Sequence, residues 1–291
     1  METNQHRTFD DKWFAMSGRR GALVALATSL LALTLGLLAW GPVTIATHAH
    51  QYADARSWLG VPNTVNVLVN LPIFWLAVWG WCATRLSAWP RALRLPWQGF
   101  HLWVMAAALT SATYHAAPSD ALLLASRTCQ ACAFMLLVLG LLAERVDPRF
   151  GHGAACCCAS IVVVLTGLAI AQAGRHAHGA IDLRPLVLLE ALPILLIPVA
   201  MLGVPNVRTR LSGWLIALAV YAVSKLLGLA DASIFGATGW ISGHTLMHLG
   251  CAMVVGWMAY RATGSRIAAG VGADTSAGAL NQRQTSLNTT G

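Results

Sequence analysis

Two short motifs in this chain place potential metal-binding side chains one helical turn apart. Three residues separate Ser111 from His115, and three separate His244 from His248. Residues four apart on a helix share a face, with Cβ atoms about 5–6 Å apart, so His244 and His248 can bind one ion while His115 approaches from another helix. Three imidazoles and a water make a catalytic zinc site. The spacing therefore predicts Zn2+ bound by these three histidines.

The composition is typical of an integral membrane protein. Of the 291 residues, 57% are hydrophobic and only 10% are charged, and the mean hydropathy is +0.62. A membrane-spanning helix needs roughly 20 mostly apolar residues. We therefore expect an all-α fold, a polytopic membrane helix bundle. Its eight predicted spans are about residues 21–41, 63–83, 98–117, 120–142, 154–173, 184–204, 211–230 and 243–262.

The distribution of basic residues predicts the orientation in the membrane. The net charge is +8, but the basic residues are scattered between the spans, which favours topogenesis over nucleic-acid binding. Of the 19 Lys and Arg residues, 14 fall in the termini and the loops on the same side, and three fall in the opposite loops. Both termini are therefore expected in the cytoplasm, and no nucleic acid is expected as a partner.

The chain divides into three regions by composition. Residues 1–19 form a basic lead that we expect in the cytoplasm, and residues 20–262 form the eight-helix transmembrane domain. Residues 263–291 are polar and lack aromatic residues, which predicts a disordered cytoplasmic tail. The first apolar run is longer than the 7–15 residues of a signal-peptide core, so we interpret it as an anchor.

The predicted orientation places the polar residues of the spans on one side of the membrane, opposite the cytoplasm. Ionisable groups inside a membrane are costly, so they are expected to face a cavity, the bundle interior or one another. A lone histidine of this kind usually hydrogen-bonds between helices, but three histidines and a serine at one depth favour a metal site. The other polar residues on this side are Asn63, Asn66, Asn70, Ser126, Arg127, Glu190, Lys225 and Asp231, and the longest outward connection, about 42–62, adds His48, His50, Tyr52, Asp54 and Arg56.

Several segments together resemble the alkaline ceramidase family, most closely its bacterial branch, over about residues 52–260. They are Leu59 to Asn63, Asn66 to Pro72, Ser111 with Tyr114 and His115, Ala143 to Arg145, Asp182 to Pro185, and Ser242 to Leu246 with His248.

This resemblance implies a seven-helix core, as in the wider superfamily that includes the progestin and adiponectin receptors, with one extra N-terminal transmembrane helix. It implies zinc ligation by His115, His244 and His248. Ser111 would lie beside the metal water and help to hold the developing oxyanion.

The chain departs from the family pattern at several positions. Ser126 stands where the family has an Asp that orients the zinc water. The family's Lys-x-x-Glu-x-x-Asp is represented by Lys225, Gly228 and Asp231, and its Lys between the last two histidines is Met247. Asn63 occupies the position of a Glu in the calcium site of eukaryotic members, so calcium is not expected.

Three carboxylates are candidates to replace the missing base. Glu190 is either a structural ion pair with Lys225 or a replacement proton acceptor, and Asp231 and Asp120 are the other candidates. The candidate catalytic residues are thus Ser111, Glu190 and Asp231.

Two functions remain open at this point. The first is a zinc-dependent hydrolase that cleaves an amide bond in a membrane lipid, in a bacterial cytoplasmic membrane. The second is a zinc-containing lipid-binding or receptor-like protein with weak turnover, which the changes at Ser126, Gly228 and Met247 favour. Transport is less favoured, because the polar residues stop short of the cytoplasmic side. Both functions have the lipid bilayer and a membrane lipid as partners, and the sequence does not identify a protein partner.

Overall fold

The computed structural model describes residues 3–45, 49–176, 181–203 and 211–263, and the regular structure of these residues is helical. Within the same ranges the β-structure amounts to one isolated bridge, between Trp58 and Val61. The predicted all-α class is therefore confirmed. The predicted disordered tail, 263–291, lies outside the described residues except for residue 263.

The helices follow the predicted apolar runs closely. They are α1 (Thr3–Trp40), α2 (Thr64–Leu68), α3 (Asn70–Arg85), α4 (Arg91–Ala116), α5 (Asp120–Arg145), α6 (Gly153–His176), α7 (Arg184–Gly203), α8 (Leu211–Leu229) and α9 (Asp231–Thr238), with a short 3-10 helix at Pro148–Gly151. A last helix, α10, covers residues 243–263. Helix α1 begins well before the predicted span, because the basic lead continues the same helix back to Thr3.

Five helical segments are long and apolar enough to cross a membrane. They are Leu23–Trp40, Thr64–Arg85, Asp120–Arg145, Gly153–Arg175 and Ser212–Leu229. This is consistent with a multi-pass membrane protein. The other three predicted spans form α4, α7 and α10, which carry the candidate ligands and Glu190, and they are not among the five. The eight-span count and the seven-helix core stay predictions.

The second predicted span is broken at Val69, between α2 and α3. Pro72 has no N–H to donate to the carbonyl oxygen of Leu68, four residues earlier, so the helical hydrogen-bond pattern is interrupted where α2 ends. The side-chain amide of Asn70 donates to the carbonyl oxygen of Asn66 at 2.8 Å, so this part of the broken helix keeps a hydrogen-bond partner. The break leaves Asn66 and Asn70 buried on the side of α2 and α3 that faces the bundle.

Helices α4 and α5 form the centre of the bundle, with α3, α6 and α7 packed around them and α1 against α7. Helix α10 packs on α8 through a small residue. A Cβ at Gly250 would lie 1.9 Å from the Ser224 hydroxyl oxygen, so only glycine allows this approach. Helix α10 also contacts α3, where Gly256 meets Leu76. This packing brings the start of α10 to the end of α4.

Candidate metal centre

The three predicted histidine ligands come together between the end of α4 and the start of α10. His115 is buried in the last turn of α4, and His244 and His248 occupy the first two turns of α10. The His115 and His244 Nε2 atoms are 3.3 Å apart, and those of His244 and His248 are 3.1 Å apart. One ligand nitrogen from each ring lies within 4.8 Å of the others. This histidine cluster is the group the motif spacing predicts.

The spacing of these nitrogens fits a metal ion. With zinc–nitrogen distances of about 2.0–2.1 Å, two ligands of a tetrahedral ion lie about 3.3 Å apart. The histidines alone make a poor hydrogen-bonded set, because His244 Nε2 faces two other Nε2 atoms and one proton serves only one of these contacts. A cation at the common point attracts all three lone pairs. The three nitrogen donors therefore fit a zinc ion.

Asp231 fixes the start of α10. One carboxylate oxygen accepts from the backbone N–H of His244 at 2.8 Å, and the other accepts from the backbone N–H of Ala53 at 3.1 Å. Gly243 permits this approach, because a Cβ there would lie 2.1 Å from the carbonyl oxygen of Leu227. Asp231, a candidate proton acceptor, thus joins α9, α10 and the α1–α2 loop with both of its oxygens.

The end of α4 is held by the beginning of α2. The side-chain amide of Asn63 donates to the carbonyl oxygen of His115 at 2.9 Å. Asn63 has a left-handed backbone, with φ of 49°, which Asn adopts more readily than most residues. At the position where the resembled family has an acidic calcium ligand, Asn63 thus has a structural contact with the end of α4.

An ion pair organises the α1–α2 loop (residues 41–63). Arg56 donates to both carboxylate oxygens of buried Asp54, at 2.7 and 2.6 Å, and to the carbonyl oxygen of Trp240 at 2.7 Å. The side-chain amide of Asn66 donates to the carbonyl oxygen of Asp54 at 3.1 Å. The hydrogen bonds from Arg56 hold the pKa of Asp54 below its usual value. This pair ties the loop to α2 and to the segment before α10.

A second network joins the same loop to α4 and α5. The Tyr114 hydroxyl donates to the carbonyl oxygen of Ala49 at 3.0 Å and lies 3.0 Å from His50 Nδ1. His50 Nε2 lies 2.9 Å from a carboxylate oxygen of Asp120. Because a carboxylate only accepts, His50 Nε2 is the donor in its contact with Asp120. Asp120, another candidate base, is therefore engaged by His50.

Tyr52 covers two of the three histidine ligands. Its ring centroid lies 4.8 Å from that of His115 and 5.3 Å from that of His244. Burial raises the pKa of Tyr52, and the neighbouring Tyr114 raises it further, so the hydroxyl keeps its proton. Sequence reasoning noted Tyr52 in the loop but assigned it no role, because nothing local shows that the loop folds onto the histidines.

Glu190 has a different partner from the one expected. Its carboxylate accepts from the Arg127 guanidinium at 2.5 Å, while the ammonium of Lys225 lies over the Tyr221 ring, 5.3 Å from the centroid. The predicted direct ion pair with Lys225 is therefore wrong. Arg127 on α5 and Lys225 on α8 both lie on the same side of the bundle as Glu190. The sequence alone does not show which of the two forms the ion pair, and in the structure it is Arg127.

Ser111 lies on α4, one turn before His115, and is half-buried. Residues four apart share a helix face, so the serine lies on the histidine side of α4. Its hydroxyl makes no hydrogen bond to the described residues. Ser126 lies in α5, directly before Arg127, and is also half-buried.

A cavity of about 50 Å³ lies between α5, α7, α8 and α10. Its walls are almost entirely apolar, and Glu190 and Tyr221 are its polar members. One oxygen of Glu190 is buried and lacks a hydrogen-bond partner among the described residues. The lining residues are Phe134, Leu137, Glu190, Pro193, Ile194, Ile197, Trp214, Ala217, Leu218, Tyr221, Val254 and Met258.

Comparison with known proteins adds no identification. No protein-family model matches this chain, and neither a curated protein nor a solved structure matches it. The resemblance to alkaline ceramidases therefore rests on the quoted motifs, and the assignment of a function rests on the histidine cluster and its surroundings.

Proposed function

We propose that this protein is a zinc-dependent hydrolase that cleaves an amide bond in a membrane lipid, as in the conversion of a ceramide or another N-acyl lipid to a fatty acid and an amine. One observation carries the proposal: neighbouring imidazole nitrogens lie 3.3 and 3.1 Å apart, close to the spacing in a tetrahedral zinc site, and all three lie within 4.8 Å of one another. A hydroxyl-bearing residue lies one turn away on α4, and an apolar cavity lies in the same bundle.

In this proposal His115, His244 and His248 hold the ion. Bound zinc supplies a Lewis acid and lowers the pKa of a water to near 7. Ser111 donates a hydrogen bond to the carbonyl oxygen as negative charge develops on it. Water adds across the amide: the acyl carbon gains a hydroxyl, the carbon–nitrogen bond breaks, and the leaving amine takes a proton.

The apolar cavity supports a lipid substrate. Its walls are Leu, Ile, Phe, Trp and Pro side chains from four helices, which suit a hydrocarbon chain. Along α10, the nearest lining residue, Val254, is six positions after His248, or about 9 Å at the helical rise. A lipid chain in the cavity thus leaves its polar end within reach of the histidine cluster.

The decisive experiment measures metal content and hydrolysis together. Purified protein is expected to hold about one zinc per chain and to release fatty acid from at least one N-acyl lipid in a panel. Chelation should abolish the release, and added Zn2+ should restore it. His248→Ala should lack both zinc and activity. His152→Ala, which changes an exposed histidine in the connection between α5 and α6, should keep both. Zinc-loaded protein that hydrolyses no member of the panel would contradict the proposal.

Among the described residues, each of the candidate carboxylates already has a partner, which predicts an unusual pH profile. Asp231 and Asp120 are engaged by hydrogen bonds, Glu190 pairs with Arg127, and the family's Asp is replaced by Ser126. A general base contributes about 10²- to 10⁴-fold, so turnover should be slow at neutral pH and should increase in alkali. Ser126→Asp should raise the neutral rate about 10-fold or more. A slower Ser126→Asp protein, beside an efficient wild type, would show that another residue serves as the base.

A lipid-binding or receptor-like protein that keeps zinc for structure is the second candidate. The changes at Gly228 and Met247 favoured it, but these residues are in contact: a Cβ at Gly228 would lie 2.7 Å from the Met247 sulfur. An acidic residue at the first position and a lysine at the second would face each other in the same way. We infer that these two departures are coupled, and Ser126 is the departure that still favours the second candidate.

The proposed topology is an eight-span bundle, seven core helices and one N-terminal helix, with both termini in the cytoplasm. It rests on the distribution of 14 against three basic residues. The histidine cluster then faces the outer leaflet. Reporter fusions at each end should be active only as cytoplasmic reporters, and an externally active fusion at either end would contradict this topology.

A further inference from the structure

Tyr52 carries a polar group that the described structure does not satisfy. Its hydroxyl is buried and has no hydrogen-bond partner among the described residues, although its ring lies against His115 and His244. Buried tyrosine hydroxyls usually have a partner, because a buried polar group without a hydrogen bond destabilises the fold. The ring of Tyr52 packs on two of the candidate metal ligands. Its hydroxyl is therefore suited to form a hydrogen bond with a ligand that binds at the histidine cluster.

The backbone beside Tyr52 is held in place before any ligand arrives. The next residue, Ala53, donates its N–H to Asp231, whose other oxygen holds the backbone of His244. The residue after that, Asp54, is fixed by Arg56 and Asn66. Tyr52 is thus connected through one carboxylate to the helix that carries two of the histidines. A donor positioned in this way loses little freedom on binding.

The neighbouring tyrosine cannot take the same role. Tyr114 lies beside Tyr52, with ring centroids 6.2 Å apart, but its hydroxyl is hydrogen-bonded to the carbonyl oxygen of Ala49 and to His50 Nδ1. The Tyr114 hydroxyl therefore has hydrogen-bond partners of normal geometry, whereas the Tyr52 hydroxyl lies close enough to Tyr114 for Tyr114 to raise its pKa but forms no such hydrogen bond to the described residues.

We propose that Tyr52 is a second hydrogen-bond donor of the site, and that its hydroxyl donates to the carbonyl oxygen of the bound amide lipid alongside Ser111. This inference rests on the proposed function. It assigns to the α1–α2 loop a catalytic residue that neither metal-binding motif contains. Two donors to one oxygen, from α4 and from the loop, hold the carbonyl in one orientation as charge develops on it.

The test uses three matched Tyr→Phe variants of the full-length protein, loaded with Co2+ in place of zinc. The probe is acetohydroxamate, whose oxygens bind the metal and accept hydrogen bonds, and its affinity is read from the visible spectrum of the bound Co2+. Tyr52→Phe should bind acetohydroxamate about 10-fold more weakly or worse, with unchanged cobalt stoichiometry. Tyr260→Phe changes an exposed tyrosine at the other end of α10 and should bind it like the wild type, and Tyr114→Phe should weaken binding less than about 3-fold.

Kinetics on an N-acyl lipid substrate give a second readout. Tyr52→Phe should lower kcat by about 10- to 100-fold with little change in KM, because the bond strengthens in the transition state. Wild-type acetohydroxamate affinity in Tyr52→Phe would overturn the inference, as would equal losses in Tyr52→Phe and Tyr114→Phe, or loss of cobalt from Tyr52→Phe. If the wild type binds cobalt and acetohydroxamate but hydrolyses no lipid, the proposed function fails, and the affinity comparison still decides whether Tyr52 is a donor.

Discussion

The two ends of α10 handle buried charge in opposite ways. Near its last turn, the Arg261 guanidinium lies among the rings of Trp97, Trp214 and Trp257, at 5.3, 4.7 and 5.3 Å from their centroids, and 3.6 Å from Glu144. We call this group the arginine cage. Near its first turn, the histidine cluster brings three nitrogen lone pairs together. The cage contains its own cation, whereas the cluster contains only donors for one.

This difference explains what each group needs to be stable. Indole faces attract a cation through their quadrupole, and the interaction is worth about 2 kcal/mol or more away from water. The cage is therefore complete within the chain and needs no ligand. The imidazole nitrogens of the cluster repel one another until a cation is bound. The arginine cage therefore stabilises the fold, whereas the histidine cluster is a candidate metal-binding site.

The largest expected effect is the loss of zinc when the histidine cluster is changed. His244→Ala combined with His248→Ala leaves a single ligand, so zinc content should fall from about one per chain to below about 0.1. Zinc should stabilise the wild type by about 4 kcal/mol when free zinc is a thousandfold above its Kd, and it should leave the double variant unchanged. Elemental analysis and thermal unfolding in detergent measure both. Full zinc content in the double variant would show that the cluster is not the site.

The reciprocal change tests the cage. Arg261→Met keeps a long side chain but removes the cation from the three indoles, and we expect a loss of about 2–3 kcal/mol of unfolding free energy. Zinc content should stay at the wild-type level, since the cluster is 13 residues earlier on α10, or about 20 Å at the helical rise. Unfolding and elemental analysis of the same samples measure the two quantities. Loss of zinc in this variant would mean that the two ends of α10 are coupled.

A smaller effect is expected where the cluster meets its support. Asp231→Asn keeps the shape but turns an N–H donor toward one of two backbone N–H groups, so one hydrogen bond to a charged acceptor is lost, worth about 1.5–3 kcal/mol. Zinc affinity should fall about 10-fold or more, as for other groups that orient ligands. Competition with a chelator of known affinity measures it. Unchanged affinity with lost hydrolysis would instead assign Asp231 the role of proton acceptor.

The features that could be predicted from the sequence are those that depend on residues close together in the chain. Helix positions follow from runs of apolar residues, and His244 and His248 share a face because of their spacing. The Arg127–Glu190 pair depends on how α5 and α7 are rotated against each other, which no local pattern specifies. The hydrogen bond between Asp231 and Ala53 and the ring contacts of Tyr52 join residues more than 60 positions apart. The arginine cage was missed for the same reason, since its tryptophans come from three helices.

Acid should loosen the loop that covers the cluster. The pKa of Asp54 is lowered by its hydrogen bonds to Arg56, so its carboxylate stabilises the loop above the unfolded-state pKa of about 4 and loses that effect as pH falls through the lower folded value. Backbone amides of residues 50–64 should lose about 10-fold in hydrogen-exchange protection at the acid end, after correction for intrinsic rates. Asp54→Asn should show the weaker protection already at pH 7 and no further step. An equal acid step in both proteins would assign it to another group.

The smallest expected effect tests whether an ion pair can form at positions 228 and 247, beside the histidine cluster, as one does between Arg261 and Glu144 in the cage. Gly228 on α8 and Met247 on α10 touch, at the two positions where the resembled family has Glu and Lys. Gly228→Glu alone should destabilise the protein, because its Cβ meets the Met247 sulfur and its charge is unpaired. Met247→Lys alone should cost less, because a long flexible chain can reach water. Together they restore an ion pair, so the double variant should be more stable than the sum of the single effects predicts, by about 0.5–3 kcal/mol. Thermal unfolding of the four proteins completes the cycle, and zinc content should be the same in all of them. Additive effects would show that the two positions do not compensate each other, and the departures from the family pattern would then again favour a protein that has lost its catalytic surroundings.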